Sequence, residues 1–68
     1  MNGQQFKDLK PGDVIYGFHK GSHFAARIVE ISDKNRTVVQ YASGATSAWS
    51  RSHIEKYYSI FPMNNRLP

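Results

Sequence analysis

Apolar residues in this chain fall in short runs broken by turn residues, and the run from Phe24 to Trp49 organises the rest. It reads as an apolar strand, a polar turn, a second strand, a Gly turn and a third strand. In Phe24 to Ser32, the residues Phe24, Ala26, Ile28 and Glu30 share one face, and Ala25, Arg27, Val29 and Ile31 share the other. Neither face is purely polar, as expected of a strongly bent strand that serves two sides of a barrel, and the small Ala25-Ala26 pair fits a tight wall. Asp33-Lys34-Asn35-Arg36 is a polar hairpin turn in which Asn35 can take a left-handed conformation. Thr37 to Ala42 is β-branched and aromatic, so it reads as a strand. Either Val38 faces the core, or Val39 and Tyr41 do. Ser43-Gly44 then turns the chain into a short strand, Ala45 to Trp49.

The flanking segments supply what closes this meander into a small barrel. Phe6 and Leu9, spaced i, i+3 in an otherwise polar N-terminus, predict one helical turn that tucks both side chains underneath. Lys10-Pro11-Gly12-Asp13 has type II turn chemistry, with Pro11 fixing φ and Gly12 free to take positive φ. Asp13 is placed to accept from backbone N–H groups beyond the turn. In Val14 to Phe18, a strand, Val14, Tyr16 and Phe18 lie on one side, Ile15 and Gly17 on the other. Gly17 marks a bulge or a close backbone approach. His19 to His23 reads as a loop built on Gly21. Ser52-His53-Ile54-Glu55 has the form of a capping box and, with so few residues following, predicts a single helical turn. Tyr57 to Phe61 is a last short strand, ended by Pro62. The expected organisation is an N-terminal extension over 1–9, a five-stranded all-β barrel over 10–62 and a flexible tail over 63–68.

Sixty-eight residues allow one domain, and a chain this short buries only about 60% of its unfolded surface, which leaves little room for a second site. There is no cysteine, so neither a disulfide nor a thiolate metal site is possible, and a reducing compartment is expected. No apolar run approaches the roughly 20 residues that span a bilayer, and the first ten residues lack the hydrophobic core of a signal peptide. A soluble cytoplasmic protein without membrane contact is expected. Nine Lys and Arg against five Asp and Glu give a net charge of +4, which favours an anionic partner such as nucleic acid. The same charge also serves solubility alone.

The run KPGDVIYGF…AARIVEI…TVVQYASG…AWSRSHI resembles SH3-like barrels of the KOW, Tudor and chromo-barrel kind. These show a Gly-Asp turn into strand one, an A-x-(I/V)-x-x-I strand two, a V-x-Y-x-x-G strand three and a W-x-x-x-x-I close. Gly12-Asp13, Ala26-Arg27-Ile28, Val39-Gln40-Tyr41, Gly44, Trp49 and Ile54 occupy those places. The resemblance covers about two thirds of the chain. It implies a five-stranded SH3-like barrel with a helical turn before the last strand, a fold shared by many unrelated functions. The KPGD start and Y-x-I end also resemble small phage and prophage proteins.

Cations and aromatic residues are interleaved along the meander. Lys20, Arg27, Lys34, Arg36 and Arg51 are candidates to meet phosphates, and Tyr41 and Trp49 to stack on bases or wedge between them. The expected function is a non-enzymatic nucleic-acid-binding module, regulatory or accessory, with DNA or RNA as partner. The alternative is a protein-interaction barrel, in which an exposed edge at Tyr57 to Phe61 could also pair two copies. Tudor and chromo barrels can gather aromatics into a cage for a methylated Lys or Arg, and Phe18, Phe24, Tyr41 and Trp49 are the residues this resemblance offers. The His- and Lys-bearing HKGSH loop and the positive net charge disfavour a cationic ligand. His19 and His23 have the spacing of a helical metal pair but lie in a loop without a third ligand, so no metal or other cofactor is expected. Ser22-His23 and Ser52-His53 are adjacent in sequence without any nucleophile motif, and no catalytic residue is assigned.

Overall fold

Left-handed backbone positions set the turns from which this sheet is built. In the computed structural model, which describes residues 1–62, Gly12, Gly21, Gly44, Lys20 and Asn35 all have positive φ. The tail expected over 63–68 lies outside the described residues. Five antiparallel strands form one sheet: β1 (Val14–His19), β2 (Ser22–Ile31), β3 (Thr37–Tyr41), β4 (Thr46–Trp49) and β5 (Tyr58–Ser59). Two short helices accompany them, α1 (Gly3–Lys7) and α2 (Arg51–Tyr57). The strand order is β4-β3-β2-β1-β5, so the chain is mostly β, and the sheet is open between its edge strands β4 and β5.

The predicted five-residue loop between the first two strands is a tight hairpin instead. Lys20 and Gly21 have φ of 50° and 81°, the pair of positive angles that a two-residue type I′ turn requires. His19 therefore pairs with Ser22 and Phe18 with His23, and both strands run further than the sequence suggests. The turn before β1 forms as read, closed by the Asp13 N–H donating to the Lys10 carbonyl at 3.0 Å. The Asp13 carboxylate accepts from the Lys10 N–H at 2.9 Å, back across the turn rather than beyond it.

Register settles which face is inside. Ile15 and Gly17 of β1, Ala26 and Ile28 of β2, and Thr37 and Val39 of β3 are buried, whereas Val38 is only half-buried. A bulge between Ile28 and Glu30 supplies the bend expected of β2 and leaves Val29 exposed. Gly17 is a close-approach glycine. A Cβ there would sit 2.5 Å from Cζ of Phe24, whose ring lies across the glycine.

The helices close the core from one side. α1 is a single turn held by a capping box, in which Asn2 accepts from the Gln5 N–H and the Gln5 side chain accepts from the Asn2 N–H. It inserts Phe6 into the core and packs on α2, so the N-terminal residues contribute to the core. α2 is longer than the predicted single turn and begins earlier. Its N-cap is Ser50, not Ser52, and it continues through Tyr57. The last strand shrinks accordingly to Tyr58–Ser59. Phe6, Ile15, Ala26, Ile28, Val39, Ile54 and Tyr58 form the buried core. No helix among the described residues is long and apolar enough to cross a membrane.

Candidate functional site

Antiparallel pairing brings the β1–β2 turn and the β3–β4 turn to the same end of the sheet, and α2 passes beside them. An open groove of about 1080 Å³ lies there. Its floor is Phe24, Tyr41 and Tyr58. The Phe24 ring meets both phenols edge-on, with centroids 5.8 Å away in each case. Gly17 makes this floor possible, because only a residue without a Cβ lets the Phe24 ring lie down on β1. One side of the groove is the hairpin, with Phe18, His19 and Ser22. The other is Trp49 with His53 and Tyr57 of α2.

These aromatic groups are tied to one another. The Trp49 indole N–H donates to the Tyr41 hydroxyl at 3.0 Å, and the Tyr41 and Tyr58 hydroxyls lie 3.4 Å apart. Trp49 stacks flat on His53, with centroids 4.0 Å apart and planes 8° from parallel. His53 in turn leans on Tyr57 at 4.8 Å. Burial pushes the Tyr41 phenol up, but hydrogen bonds with Tyr58, Trp49 and Ser47 outweigh it, and the net direction is down. Tyr58 goes up, driven by its burial and then by its hydrogen bond and charge interaction with Tyr41.

Among the described residues no Lys, Arg, Asp or Glu lines the groove, and the basic side chains there are the imidazoles of His19 and His53. The residues singled out from sequence are only partly brought together. Tyr41 and Trp49 reach the groove, half-buried and committed to the partners just described. Lys20 stands at the hairpin tip beside it, exposed. Arg27 points away from the buried Ala26 and Ile28, on the outer face between Val14 and Gln40. Lys34 and Arg36 sit in the β2–β3 turn, at the far end of the ten-residue β2. At about 3.3 Å per residue, that is roughly 30 Å from the groove end of the strand. Arg51 is half-buried, paired with Glu55 and held over the Phe6 ring at 5.1 Å. Its charge is spent inside the α1–α2 contact.

Sequence reasoning passed over His53 and Tyr57, the α2 side chains that form one wall. Their i, i+4 spacing on a helix is the signal that finds them, and it was hidden by reading Tyr57 as strand. Lys56 is a further cation on this side, with Nζ 5.3 Å from the Tyr57 ring centroid. His19 and His23 lie on opposite strands of the hairpin, and His23 packs on Phe18 at 4.7 Å. Among the described residues no group of three His, Asp or Glu side chains is placed to hold a metal ion. Comparison with known protein families, with characterised proteins and with solved structures finds no match to this chain.

Proposed function

We propose that this chain is a non-enzymatic nucleic-acid-binding module, acting in a regulatory or accessory role in the cytoplasm, and that the aromatic groove is its binding face. The observation that carries the reading is a groove of aromatic rings that no carboxylate among the described residues lines, in a chain of net charge +4. Nucleobases are planar and apolar on their faces, and their backbone is anionic, so aromatic rings bordered by cations suit them. Lys20 at the hairpin tip and Lys56 beside Tyr57 are the cations that flank the groove, and Arg27 extends the positive surface on the outer face. We also read the open five-stranded sheet as an SH3-like barrel. Strand order supports that reading, while the tight β1–β2 turn departs from the long loop it implies.

The test is an anisotropy titration of labelled DNA and RNA oligonucleotides across a range of salt. With two flanking cations engaged, the slope of log affinity against log salt should lie between about −1 and −2. Lys20→Ala should lower that slope, and Arg51→Ala should leave it unchanged because that guanidinium is already paired. Failure to bind any nucleic acid at low salt would overturn the reading. Salt-tolerant capture of a protein ligand by the same groove would establish the protein-interaction alternative in its place.

A further inference from the structure

The groove is bordered on two elements by rings that solvent reaches, Phe18 at the hairpin rim, on the strand face it shares with His23 and Arg27, and Tyr57 on α2. Phe18 of β1 is 49% exposed and Tyr57 of α2 is 52% exposed. Each ring is backed by an imidazole, Phe18 by His23 at 4.7 Å and Tyr57 by His53 at 4.8 Å. Both contacts are tilted rather than stacked, and Lys56 Nζ also lies over the Tyr57 ring, 5.3 Å from its centroid. The floor between them is partly committed, because the Trp49 indole N–H donates to the Tyr41 hydroxyl and the Tyr41 and Tyr58 hydroxyls lie 3.4 Å apart. The space, about 1080 Å³, is at or above the upper end of small-ligand sites, which run to about 1,000 Å³. It exceeds what one base ring needs.

We infer that the groove takes single-stranded nucleic acid, with bases received on Phe18 and on Tyr57, and that it reads little sequence. The inference rests on the nucleic-acid reading above. In a duplex the base faces are stacked on one another and only phosphates and base edges are offered. Among the described residues no Lys or Arg lines the groove, so its phosphate and base-edge contacts are limited to His19, His53, Ser22 and Ser43, and its larger surface is ring face. Ring faces engage bases only when those are unstacked, which is the state of a single strand. Every base has such a face, so binding to rings is tolerant of sequence. Lys20 on one side and Lys56 on the other are placed to meet the phosphates of a strand that crosses from hairpin to helix.

The test compares ten-nucleotide oligothymidine, oligoadenosine and oligouridine strands with the duplex formed from the two DNA strands, all at one low salt concentration. Single strands should bind at least about tenfold more tightly than the duplex, with thymidine and adenosine strands within several-fold of each other. Phe18→Ala and Tyr57→Ala should each weaken single-strand binding about tenfold, the scale of one lost stacking contact. Phe18→Leu should behave like Phe18→Ala and Phe18→Trp like the parent, which separates stacking from mere apolar contact and avoids dependence on one variant's fold. Retained thermal unfolding in these variants is expected, since both positions are exposed. Duplex binding equal to or tighter than single-strand binding would overturn the inference and leave the nucleic-acid reading standing. Single-strand binding indifferent to both positions would also overturn it. No binding of any of the four ligands would overturn both.

Discussion

Thr37 is fully buried, and its hydroxyl oxygen has no hydrogen-bond partner among the described residues. Its β-branched shape suits the strand, but the orphaned hydroxyl costs free energy that a methyl would not. Thr37→Val should therefore stabilise the fold by about 1 kcal/mol in chemical denaturation. A loss of stability would mean that the hydroxyl has a partner. Gly17 works in the opposite sense. Its φ is not positive, so an added Cβ meets no backbone strain, but it strikes the Phe24 ring. That ring is held between Tyr41 and Tyr58, so moving it gives up two edge-to-face contacts. Gly17→Ala should cost about 1–2 kcal/mol and disturb the groove floor, read by denaturation and by Trp49 fluorescence. Gly12 and Asn35 were legible from sequence, because their positive φ follows from their own backbone preferences, and Gly17 because a glycine inside a strand pattern marks a close approach. Thr37 was not, because its environment is made by partners distant in the chain.

The helix α2 separates two readings of one short motif. Ser52-x-x-Glu55 has the capping pattern, yet Ser50 is the residue whose side chain accepts from the His53 N–H, at 3.3 Å. Ser50→Ala should destabilise the fold by about 1 kcal/mol, whereas Ser52→Ala, an exposed first-turn position, should cost a few tenths at most. Equal costs in thermal or denaturant unfolding would contradict the assigned cap. Strands β1 to β4 were legible to within two residues at each end, since alternation and turn residues are local signals. The hairpin turn was missed because Lys20 takes a left-handed conformation that its residue type does not advertise. The last strand was overextended because YYSIF is equally apolar as the end of a helix, and only Tyr58 and Ser59 of it pair with β1.

At the scale of the whole molecule, the meander was readable but its inside was not. Parity alone left Val38 and Val39 interchangeable, and it is the pairing with β2 that buries Val39. The same limit applied to the cations. In sequence they interleave with the aromatics, but the sheet sends Arg27 to the outer face and Lys34 and Arg36 to the far end, while Arg51 is tied to Glu55. The groove gathers aromatics from all five strands and α2, a convergence that no single stretch contains. The proposal that it is the binding face is tested most directly by backbone-amide and indole N–H NMR, titrating the labelled protein with oligothymidine and with duplex DNA at low salt. The expected result is a set of shifts on Phe18 to Ser22, Ala42 and Ser43, the Trp49 indole and His53 to Tyr57, which fade as salt is raised. Absence of shifts with either ligand, or shifts confined to Arg27 and the Lys34–Arg36 turn, would contradict it.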